Sequence, residues 1–258
     1  MKLQKIYEAA DSLAPFALSK EFCEKDSAYD NSGIIYDAGR EVTKILFSLD
    51  CSRAATERAQ KIGAELLFTH HPAIYHPVHA LLNEGSTAAL NACMRAGISV
   101  ISAHLNLDCA AGGIDETLMF GLGGKRAKQL MQPLSSGGYG RVFDVERTPL
   151  YTYYEGVKRT FKSERAVLYG EREVRRVASF CGAGCSEEGV KFAVNNGADT
   201  VVSSDASHHV LLFAIEQNLN VILLTHYAAE AYGFSRFAAK LAQKAGLPFE
   251  VFEDERFL

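Results

Sequence analysis

A chain of 258 residues is long enough for one large α/β domain or two small ones with a substantial core, and 48% hydrophobic and 22% charged residues are ordinary for a soluble globular protein. A formal net charge of −4 argues against a protein organised around a basic face, so nucleic-acid binding is not expected. No apolar run approaches the roughly 20 residues that span a bilayer, so no membrane partner is expected either.

From Met1 to Phe22, Lys2, Lys5, Glu8, Asp11 and Lys20 interrupt an apolar period of three to four, which predicts an amphipathic helix and no signal peptide. Tyr29-Asp30-Asn31-Ser32-Gly33 is a polar turn before Ile34-Ile35-Tyr36. Asp30-Asn31 is either a simple turn or part of a site. Val42 to Asp50 reads as a strand and Ser52 to Ile62 as a helix stopped by Gly63. Glu65 to Phe68 is a short buried strand that ends in Thr69-His70-His71-Pro72. Ser86 to Ala96 is helical and Ile98 to Ala103 is a strand that delivers His104-Leu105-Asn106-Leu107-Asp108.

The middle of the chain is less regular. Ile114 to Phe120 is a short helix between glycine pairs. Gly121-Leu122-Gly123-Gly124-Lys125 lacks the spacing and the preceding strand of a P-loop. Arg141 to Val145 is a strand, Leu150 to Phe161 a helix and Ala166 to Tyr169 a strand. From Val174 the first half begins again. Val174 to Phe180 matches the strand at Val42, and Gly197 to Asp205 matches Gly63 to His71 without a gap. Val210 to Gln217 and Val221 to Thr225 match the next helix and strand. Four elements in one order imply an internal duplication.

The expected fold is therefore α/β: two intertwined, duplicated halves, 1–125 and 126–258, with mixed, largely parallel sheets flanked by helices. In such sheets, ligands gather beyond the carboxyl ends of the strands, where the histidines fall.

Two adjacent imidazoles at the mouth of a buried strand point to a metal. His104-x3-Asp108 closes the first copy and His226-x3-Glu230 the second; on a helix, residues four apart share a face. Alone, His226 with Glu230 reads as a helix-start histidine beside a solvated glutamate; together with His70 and His71 the metal reading wins. His76 and His79 are expected to line the cleft. His208-His209 is either a satisfied structural pair or, with His104, a set that supports ligands or touches substrate. The six cysteines form no CxxC pair and read as reduced thiols of a cytoplasmic protein, with Cys181-Gly182-Ala183-Gly184-Cys185 a glycine-rich turn.

These motifs, in this order, resemble the NIF-three-like dinuclear-metal proteins, also known as GTP cyclohydrolase type-2 homologues. Asp30-Asn31-x-Gly33 resembles that family's Trp-Asp-Asn-x-Gly, with Tyr29 in place of Trp. Thr69-His70-His71-Pro72 is its most recognisable stretch. Ala103-His104-Leu105-Asn106-Leu107-Asp108 and Thr225-His226-Tyr227-Ala228-Ala229-Glu230 match its two later motifs, departing at Leu105, Thr225 and Ala229. Gly112-Gly113-Ile114-Asp115, Gly182-Ala183-Gly184 and Ser204-Asp205 follow in family order.

The resemblance implies two divalent ions held by His70, His71, Asp108, His226 and Glu230, with Glu230 bridging them. It also implies a toroidal homohexamer. Three imidazoles with two carboxylates favour zinc, iron, manganese or cobalt over magnesium. The leading expectation is a metal-dependent hydrolase of a small, nucleotide-like substrate, with a metal-bridging water as nucleophile. The rival is a ring scaffold that binds metal or regulates without catalysis.

Overall fold

The computed structural model describes residues 1–26 and 28–257. They group into two compact units, Met1–Ala110 with Phe234–Glu253 and Ala111–Gly233 with the chain from Asp254.

The single helix expected over Met1 to Phe22 is two helices, α1 (Leu3–Asp11) and α2 (Ala17–Asp26). Pro15 is the physical reason, because it has no N–H to donate and disfavours helical backbone before it. The Asp11 carboxylate accepts the Phe16 N–H at 2.8 Å across the break. There follow β1 (Gly33–Tyr36), β2 (Ile45–Ser48), α3 (Arg53–Ile62), β3 (Leu66–Thr69), α4 (Ala88–Ala96), β4 (Ser99–Ser102) and α5 (Leu105–Cys109). The second unit holds α6 (Ile114–Gly121), β5 (Gln129–Pro133), β6 (Gly138–Thr148), α7 (Leu150–Phe161), β7 (Val167–Tyr169), β8 (Val174–Ser179), α8 (Glu187–Asn195), β9 (Thr200–Ser203), α9 (His208–Glu216) and β10 (Asn220–Leu223). Helix α10 (His226–Ala245) belongs to the second unit up to Gly233 and to the first from Phe234. Strand β11 (Phe249–Phe252) completes the first unit.

The first sheet has the order β1-β4-β3-β2-β11 and the second β5-β6-β8-β9-β10-β7. Strands β2, β3 and β4 are parallel neighbours with β1 antiparallel on β4. Strands β8, β9 and β10 repeat this, with β7 antiparallel on β10. The shared strand order is what a duplication requires. Local chemistry repeats as well. Glu65 accepts the N–H groups of Thr43 and Lys44, and the matching Asp199 accepts those of Arg175 and Arg176. Strand β2 is shorter than the run from Val42 predicts, since the Thr43 and Lys44 N–H groups turn to Glu65, whereas Arg175 and Arg176 with the matching bonds lie inside β8. Gly63 and Gly197 both end their helical stretches at positive φ, 67° and 68°.

The copies differ at one edge. Strand β11 lies parallel on β2, whereas β6 lies antiparallel on β8 and carries β5 as a hairpin. Neither β5 nor β11 follows from apolar alternation, since both are partly exposed edge strands.

Strands β2, β3 and β4 are buried along their whole length, so helices must cover both sheet faces. Leu46, Leu67 and Val100 pack with Ala55 and Ala59 of α3 and Leu90 and Cys93 of α4. On the other face the Phe47 ring meets Phe234 at 6.2 Å and the Phe68 ring meets Phe237 at 5.6 Å. Each such buried phenylalanine contributes about 1.5–3 kcal/mol.

Candidate metal centre

Strands β2, β3 and β4 run in register, so their carboxyl ends deliver Asp50, His70 with His71, and His104 to one rim of the first sheet. Thr69 and Ser102 tie the last rungs of β3 and β4 through their hydroxyls, 2.7 Å apart. His70 is fully buried and its Nδ1 donates to the Ala103 carbonyl at 2.8 Å. His71 Nδ1 donates to Asp50 Oδ1 at 2.8 Å, and His104 Nδ1 to Asp30 Oδ1 at 2.8 Å. The three imidazoles bring one ligand nitrogen each within 4.8 Å of one another, a spacing that could hold a metal ion. His70 Nε2 also lies 3.5 Å from Asp108 Oδ1.

In the second unit the rim of β8, β9 and β10 carries Cys181-Gly182, Ser204-Asp205 and His226. His226 Nδ1 donates to Asp205 Oδ2 at 2.6 Å, and His226 Nε2 lies 3.1 Å from Glu230 Oε1. Glu230 is buried. His226 is the first residue of α10, so the four-residue spacing works as a shared helical face. His104 precedes the five-residue α5 in a non-helical conformation, φ −108° and ψ −106°. In the first unit the Asp108 N–H donates to the His104 carbonyl at 2.9 Å, and the Asp108 carboxylate meets the His70 ring.

All four imidazoles share one feature. Carbonyl and carboxylate oxygens only accept, so each ring carries its proton on Nδ1 and, when neutral, presents its lone pair on Nε2. An oxygen acceptor behind each ring fixes tautomer and orientation, as around metal-ligating histidines. Each unit adds a buried oxygen donor beside its histidines, Asp108 in the first and Glu230 in the second, and imidazole with carboxylate is a donor chemistry that could hold a divalent ion.

The Asp30-Asn31-Ser32-Gly33 turn is part of this construction. Burial pushes the Asp30 carboxyl up, but hydrogen bonds from His104, Ser19 and Ser32 outweigh it and hold the group at about 2. Ser32 Oγ donates to Asp30 at 2.6 Å and accepts the His104 N–H at 3.0 Å. Asn31 Nδ2 donates to the Ile74 carbonyl at 2.7 Å, pinning the loop that follows His71. On that loop the His76 ring stacks on Tyr29, with centroids 5.4 Å apart, and Tyr75 stands 5.9 Å from His104. Tyr29 and Tyr75 are each 44% exposed.

His79 is exposed on the same loop. His208 and His209 are exposed at the start of α9, where His209 bonds to Ser207 Oγ at 3.2 Å. The residues that sequence reasoning passed over are Asp50 and the supporting roles of Asp30 and Asp205. Both Asp50 and Asp205 stand 21 residues before the histidine they hold, at the end of the preceding parallel strand. That repeated offset is the signal that could have found them.

Comparison with known proteins agrees over nearly the full length. The family model Duf34/NIF3 (NGG1p interacting factor 3) matches residues 1–255. A Methanocaldococcus jannaschii protein named GTP cyclohydrolase 1 type 2 homolog is 28% identical over 256 residues, covering 96% of this chain and 97% of the relative. Its Lactococcus lactis namesake is 28% identical over 94% of this chain and 96% of its own. Among solved structures, reduced HcgD from Methanocaldococcus jannaschii superposes with a TM-score of 0.82 at 26% identity, covering 98% of each chain. Staphylococcus aureus protein SA1388 superposes with a TM-score of 0.86 at 21% identity, over 100% of this chain and 99% of that one, a likeness of fold. By the match of its model across the chain, this protein belongs to the Duf34/NIF3 family.

Proposed function

We propose that this protein is a dinuclear metal-dependent hydrolase of a small, nucleotide-like substrate. His70, His71, Asp108, His226 and Glu230 would hold two divalent ions, drawn from zinc, iron, manganese or cobalt. The observation that carries the reading is the set of oxygen acceptors behind the rings of His70, His71 and His226, which would let each Nε2 serve as a metal ligand. The ions, when bound, supply Lewis acidity toward the attacked group.

The chain's own residues do the rest. Ala103, Asp50 and Asp205 keep the ligand imidazoles in one tautomer. Asp30 holds His104 beside His70 and His71, where its Nε2 is placed to accept or give a proton. The half-exposed ring of Tyr75 stands beside His104 with Tyr29 at its edge, which supports a substrate with a planar heterocycle. The name carried by the curated relatives supports the same substrate class.

The test is metal content per chain, measured by mass spectrometry on Glu230→Ala and Asp108→Ala proteins, with turnover assayed on a nucleotide and phosphoester panel. A bridging carboxylate predicts that Glu230→Ala loses both ions and Asp108→Ala chiefly one. A folded Glu230→Ala protein that keeps two ions per chain would sink the bridging role. Full metal loading with no turnover on any panel member would favour the scaffold reading.

A further inference from the structure

The glycine-rich turn at 121–125 takes no part in the histidine sites. It opens into Lys125-Arg126-Ala127-Lys128, and this segment lines a cavity of about 480 Å³ within the second unit, together with Glu116 and Arg141. The segment is held at both ends. Gly124 N–H donates to the Met119 carbonyl at 2.9 Å and Lys128 N–H to the Val142 carbonyl at 2.7 Å. A side chain at Gly124 has no room, since a Cβ there would sit 2.4 Å from the Phe143 ring and 2.6 Å from Met119 Cγ. The turn is packed down on β6 and α6, and the lysine and arginine that follow stand exposed at the cavity.

Four cations and one carboxylate line this cavity, in a chain whose net charge is −4. Two of the cations have acidic partners: Lys128 pairs with Asp144, and Arg141 with Asp115. The Glu116 carboxylate is engaged by the Gly112 N–H at 2.6 Å. Lys125 and Arg126 supply the remaining charge. Arg141 is 2% exposed. Its Nη1 donates to Asp115 and to the Gly138 carbonyl, while its Nε is buried with no hydrogen-bond partner among the described residues. The buried guanidinium leaves its positive charge in the cavity wall, where the low exposure weakens screening by water.

We propose that this cavity is a binding site for a small phosphate-bearing molecule. Lys125 and Arg126 would take phosphate oxygens at the mouth, with the charge of the Arg141 guanidinium in the wall behind them. Convergent cations suit a group that carries more than one negative charge on several acceptor oxygens. The volume exceeds what a lone phosphate fills and falls within the range of small-ligand pockets.

The test is isothermal titration calorimetry of the whole protein, as purified, with inorganic pyrophosphate at fixed salt. Saturable binding is expected, weakened at least about tenfold in a Lys125→Glu/Arg126→Glu double variant, whose changes lie at exposed positions. His71→Ala, which removes a proposed metal ligand, should bind pyrophosphate as the unmodified protein does. The proposal is overturned if the double variant binds as tightly as the parent, or if no saturable heat appears. Binding lost in His71→Ala and kept in the double variant would overturn it too, by placing the anion at the metal centre. A response to single-stranded oligonucleotide alone, with none to pyrophosphate, would reject it in favour of a nucleic-acid surface.

Discussion

At the scale of single residues, the carboxylates behind the imidazoles set what each ring can do. Asp205 touches His226 and no proposed ion, so its effect should pass through the ring. Asp205→Ala should weaken metal affinity by about 10–100-fold without unfolding the protein, read by competition with a chromophoric chelator. Unchanged affinity would show that the ring needs no help to face its ion. Asp30 makes a different prediction. Its carboxyl titrates at about 2 in the folded chain against an ordinary 3.8. A depressed carboxyl stabilises the fold fully above 3.8 and loses that contribution as pH falls toward 2. The gap corresponds to about 2 kcal/mol. Asp30→Asn should therefore show a flatter loss of stability than the parent between pH 3.8 and 2, measured by urea unfolding at each pH. An identical slope in the two proteins would remove Asp30 from the acid response.

At the scale of elements, the strand ends and their turns decide which side chains can meet. The Cys181–Cys185 turn brings Gly182 against the second unit's pair: a Cβ there would lie 2.8 Å from Glu230 Oε1, and φ is 56°. Gly182→Ala should thus push Glu230 from its place and lower metal content. It should also cost about 1 kcal/mol or more for the left-handed backbone, a loss visible in the melting temperature. A variant with normal metal content would mean that Glu230 has room to give. Glycine there was legible as a turn residue, but its closeness to Glu230 was not, because the contact spans two strand ends far apart in sequence. Helix α7 was legible to the residue, since its apolar period is unbroken from Leu150 to Phe161. His70 with His71, and His226 with Glu230, were legible as pairs because adjacency in sequence, or one helical turn, brings the two members of each pair together. Asp50 and Asp205 could not be read so, since a whole helix separates each from its histidine. The exposed His208 and His209 looked the same in sequence as the pair at His70.

At the scale of the whole molecule, the duplicated strand order was readable from matched segments, while the sheet edges were not, because β5 and β11 owe their place to pairing partners rather than to pattern. Strand β11 and the later part of α10 belong to the unit begun by the first 110 residues, yet they stand 120 residues or more further along the chain. Protein synthesis gives that separation a duration. Between the emergence of β4 and that of β11 a ribosome needs roughly seven to thirty seconds, at about 5–20 residues per second. Throughout that interval β2 has an open edge, and Phe47 and Phe68 lack the rings of Phe234 and Phe237 that later cover them. Chains stopped after Gly233 should collect in the insoluble fraction and bind a hydrophobic dye, whereas the full chain should do neither. A soluble product that melts cooperatively would mean that the first unit can close without waiting for its last strand.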